Sequence, residues 1–268
     1  MGKLENRTRS TERMLPLFKL RDNPYVRYPS PWDAYATLPL SVPISEAFCK
    51  TKITPNQITV ISFVIALFAV WCFGLGTPWM LVLGGLLYQL SYILDCCDGY
   101  VARKTKQSSN FGFWLDHILD ELKLALLVLA LVYGQQRIGE LEGWMLTASW
   151  VMAGLYIYTR AFSKGDLLIK ETIENSASAQ ADASAKDSGD APEGIVINGM
   201  AMTPFQARLY RKFMIVTPFS VIESQAIIFC LMPIVQLPIF GLLLTLVITV
   251  IWHLLFDVYR YWKRAGWR

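Results

Sequence analysis

The sequence predicts an all-α integral membrane protein, a bundle of six transmembrane helices with the N- and C-termini in the cytoplasm. Hydrophobic residues make up 54% of the 268 residues and charged residues only 17%, too few for the surface of a water-soluble domain of this size. Six apolar runs are long enough, or nearly so, to cross ~30 Å of hydrocarbon as helices of about 20 residues. They lie at residues 56–75, 78–102, 112–133, 144–162, 219–236 and 238–258.

Lysine and arginine are distributed unevenly among the connections between these runs. The N-terminal segment, the turn after the second run, the connection after the fourth run and the tail are basic. The opposite turns, GLGTP, GQQRIGELEG and VQLP, contain a single arginine. The positive-inside rule therefore places the basic segments and both termini in the cytoplasm. Basic loops beside anionic lipid account for the net charge of +4, so membrane lipid is expected as a partner and nucleic acid is not.

The chain divides into an N-terminal cytoplasmic or interfacial segment (1–52), a six-span catalytic membrane domain (53–262) and a basic tail (263–268). Residues 174–194, which are poor in large apolar side chains, are predicted to be a flexible cytoplasmic linker inside the membrane domain. The first thirty residues are polar and basic with no apolar stretch, so no signal peptide is expected. Five cysteines, near the reducing side or within apolar runs, do not indicate a disulfide framework.

Local signals support the first elements of this scheme. In the N-terminal segment, residues 30–50 are mildly amphipathic and are expected to lie in the membrane interface. Pro39 and Pro43 disfavour a long helix there. The second run ends as a helix, on which Asp95 and Asp98 are three residues apart and share a face. Gly99 and Ala102 extend that face by one turn.

The third run repeats the pattern from the other side of a short basic turn. It begins near Ser109 or Asn110, both good helix N-caps. Gly112, Asp116 and Asp120 then recur every four residues and form one stripe. If the two helices pack antiparallel across the turn, the four aspartates face each other.

Four facing carboxylates near hydrocarbon require compensation, since an intramembrane charge costs at least ~2.5–3.5 kcal/mol at the bilayer centre. Hard divalent cations are the natural remedy, because carboxylate oxygens suit Mg²⁺ and Mn²⁺. Two such ions can clamp a diphosphate and stabilise displacement at phosphorus. Arg103, at the exit of the second run, adds a phosphate-directed cation. The pattern thus points to a metal-dependent site that handles a phosphorylated substrate.

Eight of these positions stand in the spacing D-x2-D-G-x2-A-R-x8-G-x3-D-x3-D. They are Asp95, Asp98, Gly99, Ala102, Arg103, Gly112, Asp116 and Asp120. The pattern resembles the signature of the CDP-alcohol phosphotransferases, integral membrane enzymes of phospholipid synthesis. The stretch TPNQIT at residues 54–59, which opens the first run, is also similar to the family.

The resemblance implies an active site with two divalent cations, Mg²⁺ or Mn²⁺, on the cytoplasmic side of the membrane. Asp95, Asp98 and Asp116 would be metal ligands, and Asp120 would be both a ligand and the general base. Four further residues would shape and bind the CDP group: Gly99, Ala102, Arg103 and Gly112. An acceptor alcohol would attack the β-phosphorus of a CDP-alcohol, and CMP would leave.

The predicted activity is transfer of a phosphatidyl group from CDP-diacylglycerol to a small polar alcohol, such as glycerol phosphate, inositol phosphate or serine. An alternative reaction moves a phospho-alcohol from a soluble CDP-alcohol to a lipid hydroxyl. An alternative of another class is a divalent-cation transporter, which would place its carboxylates near mid-bilayer rather than at one face beside Arg103. The family also suggests a homodimer.

Other polar residues have open roles. His117 follows Asp116 but points about 100° away from the stripe, so proton removal is the minor interpretation for it. Glu223 and Gln225 either line an acceptor pocket or stabilise helix contacts. Three arginines, one at the end of the fourth run and two in the long connection after it, either grip a phosphate or set the topology: Arg160, Arg208 and Arg211.

Overall fold

The computed structural model describes about two thirds of the chain. The described residues are 23, 25–26, 30–157, 195–197, 200–202, 208, 210, 213, 221–244 and 247. The predicted linker at 174–194, Arg160, Arg211, most of the sixth run and the basic tail lie outside them. Within the described part, the protein is mostly helical.

The N-terminal segment is helical from residue 31 to residue 48. A π-helical turn, Asp33–Thr37, leads directly into helix α1, Leu38–Phe48. The expectation that Pro39 and Pro43 prevent a long helix was therefore wrong. Pro39 lies in the first turn of α1, where a proline costs least. Pro43 lies inside the helix, and burial of one face of α1 against the following helices outweighs its missing N–H.

Helix α2, Pro55–Leu75, matches the first predicted run. A capping box at Thr54 starts it: Thr54 Oγ1 accepts a hydrogen bond from Gln57 N–H, and Gln57 Oε1 accepts one from Thr54 N–H at 2.9 Å. Gly76, with φ of +73°, ends it. Helix α3, Pro78–Lys104, follows at once and matches the second run.

Helix α4, Asn110–Arg137, extends beyond the third predicted run at both ends. Ser109 is its N-cap, because the Ser109 hydroxyl accepts a hydrogen bond from Gly112 N–H at 3.0 Å. Helix α5, Gly143–Ile157, covers most of the fourth run. Residues 158–162 of that run lie outside the described residues.

The C-terminal half contains the one departure from helix in the described elements. Strands β1 (Ile195–Ile197) and β2 (Met200–Met202) form an antiparallel hairpin, with Ile195 paired to Met202. The all-α prediction missed it, although Asn-Gly between a β-branched run and a second short strand is a strong hairpin signal. The fifth run then forms three consecutive helical pieces, listed in chain order: α6 (Val221–Ala226), a π turn (Ile227–Leu231) and α7 (Met232–Ile234). Residues 238–244 are again helical.

Helix α2 lies at the centre of the site-bearing half, because it packs against both α3 and α4. Helices α3 and α4 themselves make few close backbone contacts with each other. Instead of packing directly against each other, α3 and α4 each pack on α2. This arrangement leaves a gap between the ends of α3 and α4. Below the gap, an apolar core joins α2 to α5 and the π turn, with Phe73 and Tyr88 against Phe229 at ring-centroid distances of 6.5 and 5.2 Å.

Two helices of the described residues, α2 and α3, are long and apolar enough to cross a membrane by length and composition. Two shorter apolar helices occupy Gly143–Ile157 and Ile222–Ile234. The six-span bundle and the cytoplasmic termini stay predictions.

Candidate active site

Three of the four motif aspartates meet across the gap between α3 and α4. One carboxylate oxygen from each of Asp95, Asp98 and Asp116 lies within 4.8 Å of the other two. Asp98 is buried, at 6% exposure, and the other two are partly buried. The backbones of α3 and α4 stay apart, but the carboxylates of these aspartates converge. The spacing predicted that the aspartates face each other, and only their side chains bridge the distance between the two helices. Three hard oxygen donors at this separation fit a divalent cation such as Mg²⁺ or Mn²⁺.

A residue of helix α2 hydrogen-bonds to the Asp98 carboxylate. The Thr59 hydroxyl donates a hydrogen bond of 2.5 Å to Asp98 Oδ2, and Thr59 itself is 4% exposed. Thr59 is the last residue of the TPNQIT stretch and lies one turn after Pro55, the first residue of α2. Sequence reasoning noted the stretch and missed this role, which depends on α2 packing against α3.

Lys123 is a second residue that sequence reasoning missed. Its ammonium nitrogen lies 2.9 Å from Asp95 Oδ1 on α3 and 2.7 Å from Asp120 Oδ1 on its own helix. Its side chain is only 6% exposed. The signal was present in the sequence, since Lys123 follows Asp120 by three residues and Asp116 by seven and so lies on the same stripe.

Asp120, the fourth motif aspartate, is placed differently from the other three. It is not a member of the three-oxygen group, and it forms an ion pair with Lys123 one turn further along α4. The structure thus separates the aspartates into a group of three and a single carboxylate joined to the group through the lysine. Its roles as metal ligand and general base stay predictions.

A cavity of about 220 Å³ opens beside the carboxylates. Asp98 and Asp116 contribute to its wall. All four residues that the motif assigns to the CDP group line it as well: Gly99, Ala102, Arg103 and Gly112. The cavity therefore adjoins the three-oxygen group, and six of the eight motif residues line it.

The two glycines of the motif have close side-chain neighbours at this cavity. A Cβ atom on Gly112 would lie 2.8 Å from Asn56 Oδ1, on the first turn of α2. A Cβ atom on Gly99 would lie 3.0 Å from an Arg103 guanidinium nitrogen. A larger side chain at either position would fill space that the cavity uses.

Arg103 is positioned by the N-terminal segment. Its Nε–H donates a hydrogen bond of 3.1 Å to the Tyr25 carbonyl, and the Tyr25 ring packs edge-on against Tyr100 at 5.5 Å. Tyr100 in turn donates to Glu46 on α1, where a hydrogen bond from Lys104 lowers the pKa of the Glu46 carboxyl below its usual range. The segment before α2 therefore helps to build the site, which the sequence did not indicate.

The residues with open roles are placed by their contacts. The His117 ring stacks on Phe113 at 6.3 Å, consistent with its direction away from the stripe. Glu223 Oε1 accepts a hydrogen bond of 3.0 Å from Trp32 N–H, and Gln225 Oε1 accepts one of 3.4 Å from the Tyr88 hydroxyl. These bonds favour the helix-contact interpretation of Glu223 and Gln225. Arg208 is exposed.

The protein is helical, has apolar helices of spanning length, and carries a three-carboxylate group beside a cavity. These features are those of a candidate metal-dependent membrane enzyme. The model of one family, CDP-alcohol phosphatidyltransferase, matches residues 52–186, about half of the chain. The chain belongs to this family. The family resemblance of the motif is thereby confirmed. The family depends on divalent metal ions.

Curated relatives match about a third of the chain. A bifunctional IPC transferase and DIPP synthase of Archaeoglobus fulgidus is 42% identical over 96 residues, 35% of this chain and 19% of that protein. An archaetidylinositol phosphate synthase of Pyrococcus horikoshii is 35% identical over 91 residues, 34% of this chain and 47% of that protein. A CDP-diacylglycerol–glycerol-3-phosphate 3-phosphatidyltransferase of Rickettsia bellii is 33% identical over 78 residues, 29% of this chain and 43% of that protein. The matches thus span between about a fifth and about half of each relative.

Among solved structures, phosphatidylinositol phosphate synthase of Mycobacterium tuberculosis with CDP-DAG bound aligns over 80% of this chain and 89% of that chain. The TM-score is 0.43 and the sequence identity 18%.

Proposed function

We propose that this chain transfers a phosphatidyl group from CDP-diacylglycerol to a small polar alcohol and releases CMP, with two divalent cations at the site. One observation carries the proposal. The carboxylates of Asp95, Asp98 and Asp116 converge at the edge of a cavity, and four further motif residues line that cavity: Gly99, Ala102, Arg103 and Gly112. A metal-binding group beside a space for a nucleotide is what displacement at a diphosphate needs.

We assign the residues roles that suit their positions. Asp95, Asp98 and Asp116 would hold Mg²⁺ or Mn²⁺, which when bound neutralise the diphosphate and stabilise displacement at phosphorus. Arg103 adds a fixed cation at the cavity wall, with its Nε–H occupied by the Tyr25 carbonyl. Gly99 and Ala102 leave room for the CDP group.

Asp120 is the proposed general base. The acceptor hydroxyl gives its proton to the Asp120 carboxylate while its oxygen forms a bond to the β-phosphorus of the donor. The bond from that phosphorus to the oxygen shared with CMP breaks, CMP leaves with the electron pair, and a phosphodiester results. Asp120 lies one helical turn beyond Asp116, outside the three-oxygen group, which suits a carboxylate that meets the acceptor rather than the nucleotide.

The donor and the acceptor class are supported by the names of relatives. The Rickettsia bellii protein is named for CDP-diacylglycerol as donor and glycerol 3-phosphate as acceptor, and the Pyrococcus horikoshii protein for archaetidylinositol phosphate as product. Both fit a small polar acceptor that carries a phosphate. The uneven distribution of Lys and Arg supports an integral membrane enzyme whose site faces the cytoplasm. We also propose that it acts as a homodimer, as the family resemblance suggests.

The test is CMP release by the purified protein in detergent. We expect release from CDP-diacylglycerol with glycerol phosphate, inositol phosphate or serine as acceptor, and loss of release when EDTA removes divalent metal. A soluble CDP-alcohol offered with diacylglycerol is the comparison. Release from that pair alone would contradict the proposed direction of transfer, and release that survives EDTA would contradict the metal-dependent site.

Asp120→Asn tests the general base separately. We expect turnover to fall by ~10²–10⁴-fold, the usual loss for a general base. Binding of CDP-diacylglycerol should change much less, because the three-oxygen group stays complete. If donor binding collapses together with turnover, Asp120 is chiefly a metal ligand, and the base must be another group.

A further inference from the structure

Lys123 is a buried cation inside the proposed metal site. It extends from α4 and contacts one carboxylate on each helix, Asp95 Oδ1 at 2.9 Å and Asp120 Oδ1 at 2.7 Å. Its side chain is 6% exposed, so the ammonium has little access to water. A lysine so deeply buried is retained only when its charge is paired.

The charge balance of the site explains the pairing. Four aspartates lie on two neighbouring helix faces, and the repulsion between ionised carboxylates is strong where water is scarce. The Lys123 ammonium offsets two of them directly. It therefore stabilises the arrangement of carboxylates when no divalent ion is bound.

The same contacts place Lys123 in competition with metal. Asp95 belongs both to the three-oxygen group and to the lysine bridge. A divalent ion held by the three-oxygen group leaves the contact with Asp120 intact. A second ion that binds to Asp120 would approach the carboxylate oxygen that the Lys123 ammonium already contacts. The two positive charges repel each other at such short range.

We propose that Lys123 is an internal cation that competes with divalent metal for Asp95 and Asp120. The inference rests on the proposed two-metal function and deepens it. This competition makes the affinities of the two ions unequal. The first ion binds to the three-oxygen group, and the second binds only when the Lys123 ammonium moves off Asp120. Lys123 is thus a positioning residue that sets the order and the affinity of metal loading.

Two simpler roles predict different results. If Lys123 only ties α4 to α3, its removal lowers stability without changing the intrinsic affinity for metal. If Lys123 holds Asp95 in the geometry that a metal needs, its removal weakens metal binding. Only competition predicts that removal of the Lys123 charge tightens metal binding.

The experiment is Mn²⁺ binding to the full-length protein in detergent without substrate, with free Mn²⁺ measured by electron paramagnetic resonance. For wild type we expect one tighter and one weaker ion. Lys123→Met, which keeps an unbranched apolar side chain one atom shorter and removes the charge, should tighten binding of the weaker ion by ~10-fold or more. Lys123→Arg keeps the charge and should retain the unequal affinities.

Lys104→Met is the matched control. It removes a lysine from the end of α3 that pairs with Glu46 rather than with the aspartates, so the Mn²⁺ affinities should match those of wild type. Lys123→Gln, which is also neutral but donates hydrogen bonds, serves if Lys123→Met does not yield folded protein. In either neutral variant, Mn²⁺ should raise the thermal-unfolding midpoint by more than it does in wild type.

The outcomes separate this inference from the function on which it rests. If wild type binds Mn²⁺ and the neutral variants bind it equally or more weakly, competition is refuted while the metal site stands. If Lys123→Arg tightens binding as much as Lys123→Met, the charge is not the cause and the inference is again refuted. If wild type binds no Mn²⁺ at all, the proposed metal-dependent function fails first, and the inference fails with it.

Discussion

Replacement of Thr59 by valine removes one hydroxyl beneath the three-oxygen group. Valine has nearly the shape of threonine, so the packing of α2 against α3 is kept. What is lost is the 2.5 Å hydrogen bond from the Thr59 hydroxyl to Asp98 Oδ2. Asp98 then loses the contact that fixes the orientation of its carboxylate towards Asp95 and Asp116.

The size of the effect follows from the kind of bond. A hydrogen bond to a charged group contributes roughly 1.5–3 kcal/mol, and loss of a partner that orients a metal ligand typically costs about 10- to 100-fold in affinity or activity. Thr59 is 4% exposed, so water cannot readily replace the hydroxyl. We therefore expect Thr59→Val to weaken Mn²⁺ binding by about 10- to 100-fold, with a similar fall in CMP release at limiting metal.

The matched control is Thr59→Ser, which keeps the hydroxyl and loses a methyl group. Both variants are assayed for Mn²⁺ affinity and for CMP release over a range of Mn²⁺ concentration. Thr59→Ser should stay near wild type, and excess Mn²⁺ should restore much of the activity of Thr59→Val. Equal behaviour of the two variants would refute the role of the hydroxyl, and so would tighter Mn²⁺ binding by Thr59→Val.

Two further predictions concern stability. Gly134→Ala should lower the free energy of unfolding by about 1–3 kcal/mol, because the added Cβ would lie 1.9 Å from the Phe73 carbonyl oxygen. Gly154→Ala meets nothing within 4 Å, so denaturant unfolding should show no loss for this control, and an equal loss in both would contradict the packing argument. Burial raises the pKa of Asp33 despite its hydrogen bond from Tyr92, so the contribution of this carboxyl to stability is present at low pH and declines as pH rises through the raised pKa. Thermal-unfolding midpoints between about pH 4 and pH 7 should show that decline in wild type and a flatter profile in Asp33→Asn, and parallel profiles would refute the assignment to Asp33.

The helices that carry the site were predictable because their ends are encoded locally. The TPNQIT stretch forms the capping box that starts α2, and Ser109 starts α4 as its N-cap. The spacing of Asp95, Asp98 and Asp116 places them on helix faces whichever way the helices pack. The convergence of their carboxylates within 4.8 Å also needs α2, because α3 and α4 each pack on α2 and make few close contacts with each other.

The remaining features depend on packing that spacing does not encode. The position of α2 between α3 and α4 brings Thr59 to Asp98, and the path of the N-terminal segment brings Tyr25 to Arg103. Tertiary contacts also outweigh the intrinsic cost of Pro43 in α1. Lys123 was readable from its spacing to Asp120, but a single lysine in an apolar run does not reveal which carboxylate on the other helix it reaches.

The most direct test of the central claim is CMP release by Asp98→Asn over a range of Mn²⁺ concentration. Asp98 is the most buried member of the three-oxygen group, and asparagine keeps its shape while it removes the charge that a divalent ion requires. We expect release to be abolished at ordinary Mn²⁺ and Mn²⁺ binding to be weakened in the same preparation, with the thermal-unfolding midpoint of the metal-free protein retained. Near wild-type release of CMP by Asp98→Asn would contradict a metal-dependent transferase site built on these aspartates.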